Sequence, residues 1–331
     1  MKHVSVKVSL IFLITAILTQ TVFAESNTEW NGYLQTRISA DLDNYNDIMV
    51  RRAKLWLKGN LQQIEHLSYK IQVVYRSFKD TQFMVQDVYA KYETNCHIIQ
   101  IGRMVPEFTL QRNQPDTQIP VLERAGVVDG LIHGDQSIAR MIGIQYKLNT
   151  GNAFHLGLGI FNANPNVPGI NKDKSFLYTL RNSYTFSIDN DSEFHLGFSF
   201  TYRKLNDLSL SKIYNSTKKV SGDDYRWGFE SGLNIRNFEF QGEYLTANIN
   251  RDRAWGYYAL VSLMFSEKYQ PTMYIEKYAD LNLSTADNEW YGIGLNYFIT
   301  KKTKIMGDFG TQLSSKKNNY LLRLQLQVFY N

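Results

Sequence analysis

Beyond residue 24 one pattern recurs along the chain: apolar residues alternate with polar or small ones over runs of 8 to 14 positions. A period of two marks a strand with two unlike faces, whereas an amphipathic helix repeats near 3.6. In residues 192–204, Phe194, Leu196, Phe198, Phe200 and Tyr202 share one face, and His195, Gly197, Ser199, Thr201 and Arg203 share the other. The closing segment sets Leu322, Leu324, Leu326, Val328 and Tyr330 against Arg323, Gln325, Gln327 and Phe329. Sixteen such segments are predicted as strands, near 29–40, 50–60, 67–78, 84–94, 97–104, 138–149, 152–163 and 175–187, then 192–205, 223–236, 237–248, 253–266, 270–280, 288–300, 302–313 and 319–331. The facing of 97–104 is ambiguous, because Ile98, Ile99 and Ile101 fall on both faces.

The connections alternate as well. Those after even-numbered strands are tight, as at 94–95, 149–152, 187–191, 236–237 and 300–301. Those after odd-numbered strands are mostly longer, as at 41–49, 105–137, 164–174, 206–222 and 281–287. An even strand count, with short turns on one rim and long loops on the other, is the pattern of a bacterial outer-membrane barrel. The predicted fold is all-β, a 16-stranded antiparallel transmembrane β-barrel with an inward-folded constriction loop.

Composition narrows the alternatives. The chain has 331 residues with 44% hydrophobic residues, which excludes a disordered polymer. Aromatic residues make up 14%, and many sit near strand ends, among them Trp30, Tyr69, Tyr75, Tyr92, Tyr184, Phe186, Tyr225 and Trp227. Aromatic girdles at bilayer interfaces account for that placement, whereas a soluble β-sandwich core favours Val, Ile and Leu. The single cysteine, Cys96, excludes a disulfide scaffold. A net charge of +5 is too mild to call for nucleic acid. At the N-terminus, Lys2, His3 and Lys7 precede an apolar run at 8–18 and then Val22-Phe23-Ala24. That run is too short to cross a bilayer, which takes about 20 residues. It has the layout of a secretory signal peptide. Residues 1–24 are therefore expected to be cleaved, leaving 25–331 as the barrel.

One connection stands out. Residues 105–137 form a 33-residue loop carrying five acids, Glu107, Asp116, Glu123, Asp129 and Asp135, against two bases, Arg112 and Arg124. A loop this long is usually functional. It is partly apolar, so it either folds into the lumen or lies across the outer mouth. On the predicted inward faces of the first four strands stand Arg37, Arg52, Lys54, Lys58, Lys70, Arg76 and Lys91, with Asp87 as the one clear acid. An acidic loop opposite a basic wall would set a transverse field across the bore, or these charges would simply solvate the interior.

Three stretches carry a family resemblance. They are Arg51-Arg52-Ala53-Lys54-Leu55-Trp56-Leu57-Lys58-Gly59; Asp87-Val88-Tyr89-Ala90-Lys91-Tyr92 with Ile101-Gly102-Arg103-Met104-Val105-Pro106; and Glu123-Arg124 with the later Arg140 and Gly143-Ile144-Gln145. In order and spacing they resemble the phosphate-selective porin O/P family of outer-membrane porins. The resemblance implies a sixteen-stranded trimeric pore, an inward-folded third loop and an anion preference, and it adds Arg103, Arg124 and Arg140 to the expected pore-lining bases. The family's specific members place a ladder of arginines and a lysine cluster at the constriction. Here the loop sets two bases against five acids, so a general, mildly anion-preferring pore is expected rather than tight phosphate selectivity.

Enzymatic signatures are missing. His3, His66, His97, His133, His155 and His195 form no metal-binding pair, and no nucleophile elbow occurs. No catalytic residue, metal or cofactor is expected. The sequence reads as an outer-membrane porin for passive diffusion of small hydrophilic solutes. Its expected partners are outer-membrane lipid, small solutes or anions, and two further copies of the chain. The alternatives are a barrel enzyme, for which His133 near Asp129 or Asp135 is the one candidate, and an adhesin or receptor using its long loops. Cleavage after Ala24 predicts that N-terminal sequencing of outer-membrane material starts Glu25-Ser26-Asn27, and an intact Met1 would refute it.

Overall fold

The computed structural model describes residues 28–41, 45–61, 64–77, 82–132, 138–151, 153–163, 175–214, 219–281, 288–313 and 319–330. The cleavage position after Ala24, His133 and Asp135 lie outside the described residues.

Strands β1 (Thr28–Asp41), β2 (Tyr45–Asn60), β3 (Leu67–Arg76), β4 (Gln82–Glu93) and β5 (His97–Met104) come first. Two short helices follow, α1 (Leu110–Asn113) and α2 (Gly126–Ile132). Then come β6 (Met141–Thr150), β7 (Phe154–Asn162), β8 (Phe176–Asp189), β9 (Ser192–Ser209), β10 (Lys219–Ile235) and β11 (Phe238–Ile249). The chain ends with β12 (Asp252–Leu263), β13 (Tyr269–Ala279), β14 (Asn288–Thr300), β15 (Thr303–Leu313) and β16 (Asn319–Tyr330). Each strand pairs antiparallel with its neighbours in sequence, and β1 pairs with β16, from Gly32 opposite Tyr330 to Asp41 opposite Leu321. The sheet is a closed barrel of sixteen strands, as the alternation predicts. Closure leaves no edge, so every strand has a hydrogen-bonded neighbour on both sides, as lipid requires.

The burial pattern is inverted relative to a water-soluble sheet. On β16, Leu322, Leu324 and Leu326 are 52%, 50% and 41% exposed, while Gln325 and Gln327 at alternate positions are each 1% exposed. On β9, Ser199, Thr201 and Arg203 are buried and Leu196 is exposed. Apolar residues outside and polar residues inside suit a wall with lipid on one face and a polar lumen on the other. Inside, glutamines bridge adjacent strands: Gln35 to Gln327 at 2.7 Å, Gln72 to Gln86 at 2.9 Å and Gln100 to Gln145 at 2.6 Å. Strand β5 settles its ambiguity by sending Ile99 and Ile101 outward, exposed, and burying Gln100.

Several boundaries differ from expectation. Strand β2 begins at Tyr45 rather than 50, within the expected 41–49 connection. Strand β6 begins at Met141 rather than 138, so the loop runs on through Arg140. Ile138 is buried in the loop's apolar cluster, the Ala139 carbonyl accepts from Arg112, and Arg140 turns to Asp87, so these residues are committed to the loop. Strands β9 and β10 run further than predicted, because Leu205, Leu208 and Val220 on them join the same cluster.

Removing residues 319–331 takes away β16 and leaves β1 and β15 with open edges in lipid. This truncation is expected to abolish insertion and the heat-modifiable folded band on electrophoresis. Normal folded protein in the membrane would contradict it.

Candidate functional site: a loop pinned across the lumen

Residues 105–132 and 138–140 are tied to lumen-facing side chains around most of the barrel. On the far wall, the Thr109 N–H donates to Ser199 Oγ of β9 at 3.0 Å. The Leu110 N–H donates to Glu243 of β11 at 2.5 Å, so a wall carboxylate caps α1. Glu276 of β13 accepts the Gly126 N–H at 3.0 Å and does the same for α2. Asn296 of β14 donates to the Pro120 carbonyl at 2.7 Å, and Lys304 of β15 to the Thr117 carbonyl at 3.2 Å. Between these polar ties, Val127, Val128, Leu131 and Ile132 of α2 pack in a cluster that includes Leu245, Ala247, Ala254 and Leu260 of β11 and β12. The lumen face of β11 and β12 is thus partly apolar where the loop lies against it. Two glycines make room: a Cβ on Gly157 would lie 2.7 Å from Glu107 Cγ, and one on Gly256 would lie 2.8 Å from Val127 Cγ2.

The loop's acids close the remaining side. Glu123 receives Arg37, Arg51 at 2.9 Å and Arg52 at 3.2 Å. Asp116 receives Lys54 at 2.6 Å, Arg124 at 2.8 Å and Arg52 at 3.7 Å. Glu107 lies among Lys147 at 2.5 Å, His155 at 3.1 Å and Arg181 at 3.4 Å. Burial by itself would raise the Asp116 carboxyl, but Lys54, Arg52 and Arg124 outweigh it and hold it well below the usual range. Burial likewise opposes ionisation of Glu123 and Glu107, and is outweighed by Arg51, Arg52 and Arg37 in one case and by Lys147, the His155 hydrogen bond and Arg181 in the other. The acids therefore do not stand across a gap from the bases, and the expected field between two opposed walls gives way to direct ion pairs that fasten the loop.

Between loop and wall lies an open space of about 1180 Å³, part of the lumen. Of the expected bases, Arg52, Lys54, Lys58, Lys70, Arg76, Arg103, Arg124 and Arg140 border it. Lys70 and Arg140 share Asp87, at 3.2 and 2.6 Å. Arg37 is buried against Glu123, Gln325 and the Leu122 carbonyl. Lys91 is not at the constriction: it lies near the 94–96 turn and pairs with Glu93. Of the expected acids, Glu107, Asp116, Glu123 and Asp129 border the channel, and Asp129, half exposed, pairs with Lys212. Twelve bases and six acids line the channel in all.

Strict alternation conceals part of this set. It puts Arg51 beside Ala53 on the lipid side, but β2 carries a bulge opposite Gln35 and Thr36, which lets Arg51 and Arg52 both reach Glu123. On β5 the alternation breaks at Gly102, whose φ of +132° and whose approach to the Val88 carbonyl exclude a side chain. Arg103 follows it, borders the channel and donates to the Gln86 carbonyl at 3.2 Å. Lys147 and Arg181 lie on β6 and β8, beyond the four strands whose inward charge was read. Their alternation with Gln145 and with Thr179 and Ser183 was the available signal.

The profile of the phosphate-selective porin O and P family matches residues 30–328. The chain belongs to that family. It is an outer-membrane porin, a channel rather than an enzyme. Solved structures share the fold at low identity. An anion-selective porin from Comamonas acidovorans is 11% identical over 92% of this chain and 100% of that one, with a TM-score of 0.68. OprB of Pseudomonas putida is 10% identical over 92% and 94%, with a TM-score of 0.67. The trimer form of OmpT from Vibrio cholerae is 13% identical over 93% and 100%, with a TM-score of 0.63. No curated protein sequence matches the chain significantly.

Carboxyls held below their ordinary values contribute to loop anchoring while ionised. The contribution is complete above the unfolded carboxyl range, near 4 to 4.5, and is lost only as pH falls through the lowered values. Glu107, Asp116 and Glu123 should therefore take up protons only below the ordinary carboxyl range, and NMR of labelled Asp and Glu showing any of these three titrating near neutral pH would contradict this. Glu123→Gln removes charge-assisted bonds to three arginines, about 2 kcal/mol of anchoring after allowing for solvent. It should raise current noise and protease cleavage in the loop at neutral pH, whereas Asp129→Asn should not.

Proposed function

We propose that the channel is a general diffusion pore with a mild preference for anions, assembled as a homotrimer. The observation that carries the preference is the charge of the lining: twelve bases against six acids. The acids Glu107, Asp116, Glu123 and Asp87 each pair with two or more bases, while Lys58 and Arg76 form no ion pair among the described residues. Fixed positive charge in a narrow aqueous bore raises the local anion concentration and repels cations. The two loop arginines are occupied, Arg124 by Asp116 and the Gln114 carbonyl and Arg112 by the Ala139 carbonyl. They are held as loop fastenings, and this favours a general anion preference over tight phosphate capture. The trimer rests on family membership and on the trimer form of the similar Vibrio cholerae protein.

Replacing Lys58 and Arg76 together by Gln removes two channel charges without freeing a loop carboxylate, whereas Lys54→Gln would also release Asp116. The double variant should conduct normally and shift the reversal potential in a KCl gradient toward the cation side. The shift should be clear at about 0.1 M and small at 1 M, where the screening length falls from about 10 to 3 Å. An unchanged reversal potential at low salt would refute the assignment. Cross-linking in mild detergent should trap a trimer, and monomer alone would refute the assembly.

A further inference from the structure

On the short-turn side of the Arg52–Glu123 cluster, the β1–β3 wall carries an arrangement that the diffusion reading does not use. Lys58 and Lys70 face each other in register across β2 and β3, and both border the channel. Like charges directly opposite one another on a sheet are destabilising unless something neutralises them. Lys70 shares Asp87 with Arg140, so its neutralisation is partial. Lys58 has no ion pair among the described residues, and Glu29, its register partner on β1, makes none with it. Between the lysines and the loop stands Trp56, which borders the channel with Lys70 Nζ 5.9 Å from its ring centroid. Tyr33 meets Trp56 edge-on at 6.2 Å and Phe329 at 5.8 Å, so an aromatic band runs across β16, β1 and β2 beside the two cations.

A small inorganic anion would use only the lysines. An anion that also carries a flat apolar face can place its charge between Lys58 and Lys70 and its ring against Trp56, gaining a stacking contact that chloride or acetate lacks. We propose that Lys58, Lys70 and Trp56 form a binding subsite for aromatic carboxylates on the permeation path. This rests on the anion preference above and names a class of solute for it. Binding there delays the solute and interrupts the chloride current while it is seated.

The test is titration of benzoate and of acetate into single-channel recordings in KCl. Benzoate should reduce the chloride current at a concentration about fivefold or more below that needed for acetate, an offset within reach of one aromatic contact. Trp56→Leu should bring benzoate to the acetate level without moving the KCl reversal potential. Trp56→Tyr should keep most of the difference, which guards against a folding defect in the leucine variant. Lys58→Gln should weaken block by both anions. Equal block by benzoate and acetate in the wild type, or a benzoate preference that survives Trp56→Leu, would overturn the subsite. A wild-type reversal potential on the cation side would instead overturn the anion reading beneath it, so the two failures are distinguishable.

Discussion

The channel depends on three carboxylates set among cations. Glu107, Asp116 and Glu123 reach from one loop to bases on both sides of the bore, from Arg37, Arg51, Arg52 and Lys54 on β1 and β2 to Lys147 and Arg181 on β6 and β8. Removing charges from water is costly, and such clusters repay the cost only when the remaining donors and acceptors are also satisfied. Here the barrel adds bonds to the loop's backbone. The loop's backbone is bonded to Ser199, Glu243, Glu276, Asn296 and Lys304, and its apolar side chains lie on an apolar strip of wall.

In the anion-preferring reading proposed above, this fastening sets the charge of the bore: the loop acids are neutralised by the bases that hold them, and the surplus bases give the lining its sign. The same logic separates the two halves of the lumen. Strands β9, β11, β13, β14 and β15 bond the loop, and β11 and β12 add apolar side chains beneath it, while β2 to β6 border the channel with lysines, arginines and glutamines. A charge placed on the lipid side of this wall would cost about 2–4 kcal/mol near the midplane, which keeps the strand register fixed and the cations inside.

The barrel was legible because a period of two is a local signal that repeats in every strand. Sixteen segments and an even count follow from it, as do the inward positions of Lys54, Lys58, Lys70 and Arg76. The site was less legible for two reasons. Alternation fails where the backbone departs from regular pleating, which hides Arg51 behind a bulge and disturbs β5 at Gly102. Pairing across the lumen has no local signal at all: Lys54 and Asp116 lie 62 residues apart, and Arg37 and Glu123 lie 86 apart. Charge counts alone thus place acids and bases on opposite sides of a gap that the side chains in fact close.

The central claim is that pairing of the loop acids leaves the bore net positive. Planar-bilayer recording of the wild-type channel across a tenfold KCl gradient reads this directly. The account predicts a reversal potential on the chloride side, strongest at low salt, since the loop carboxyls are paired and the surplus bases face the permeating ions. A reversal potential on the potassium side would contradict it, because the acids would then be facing the permeating ions rather than the bases.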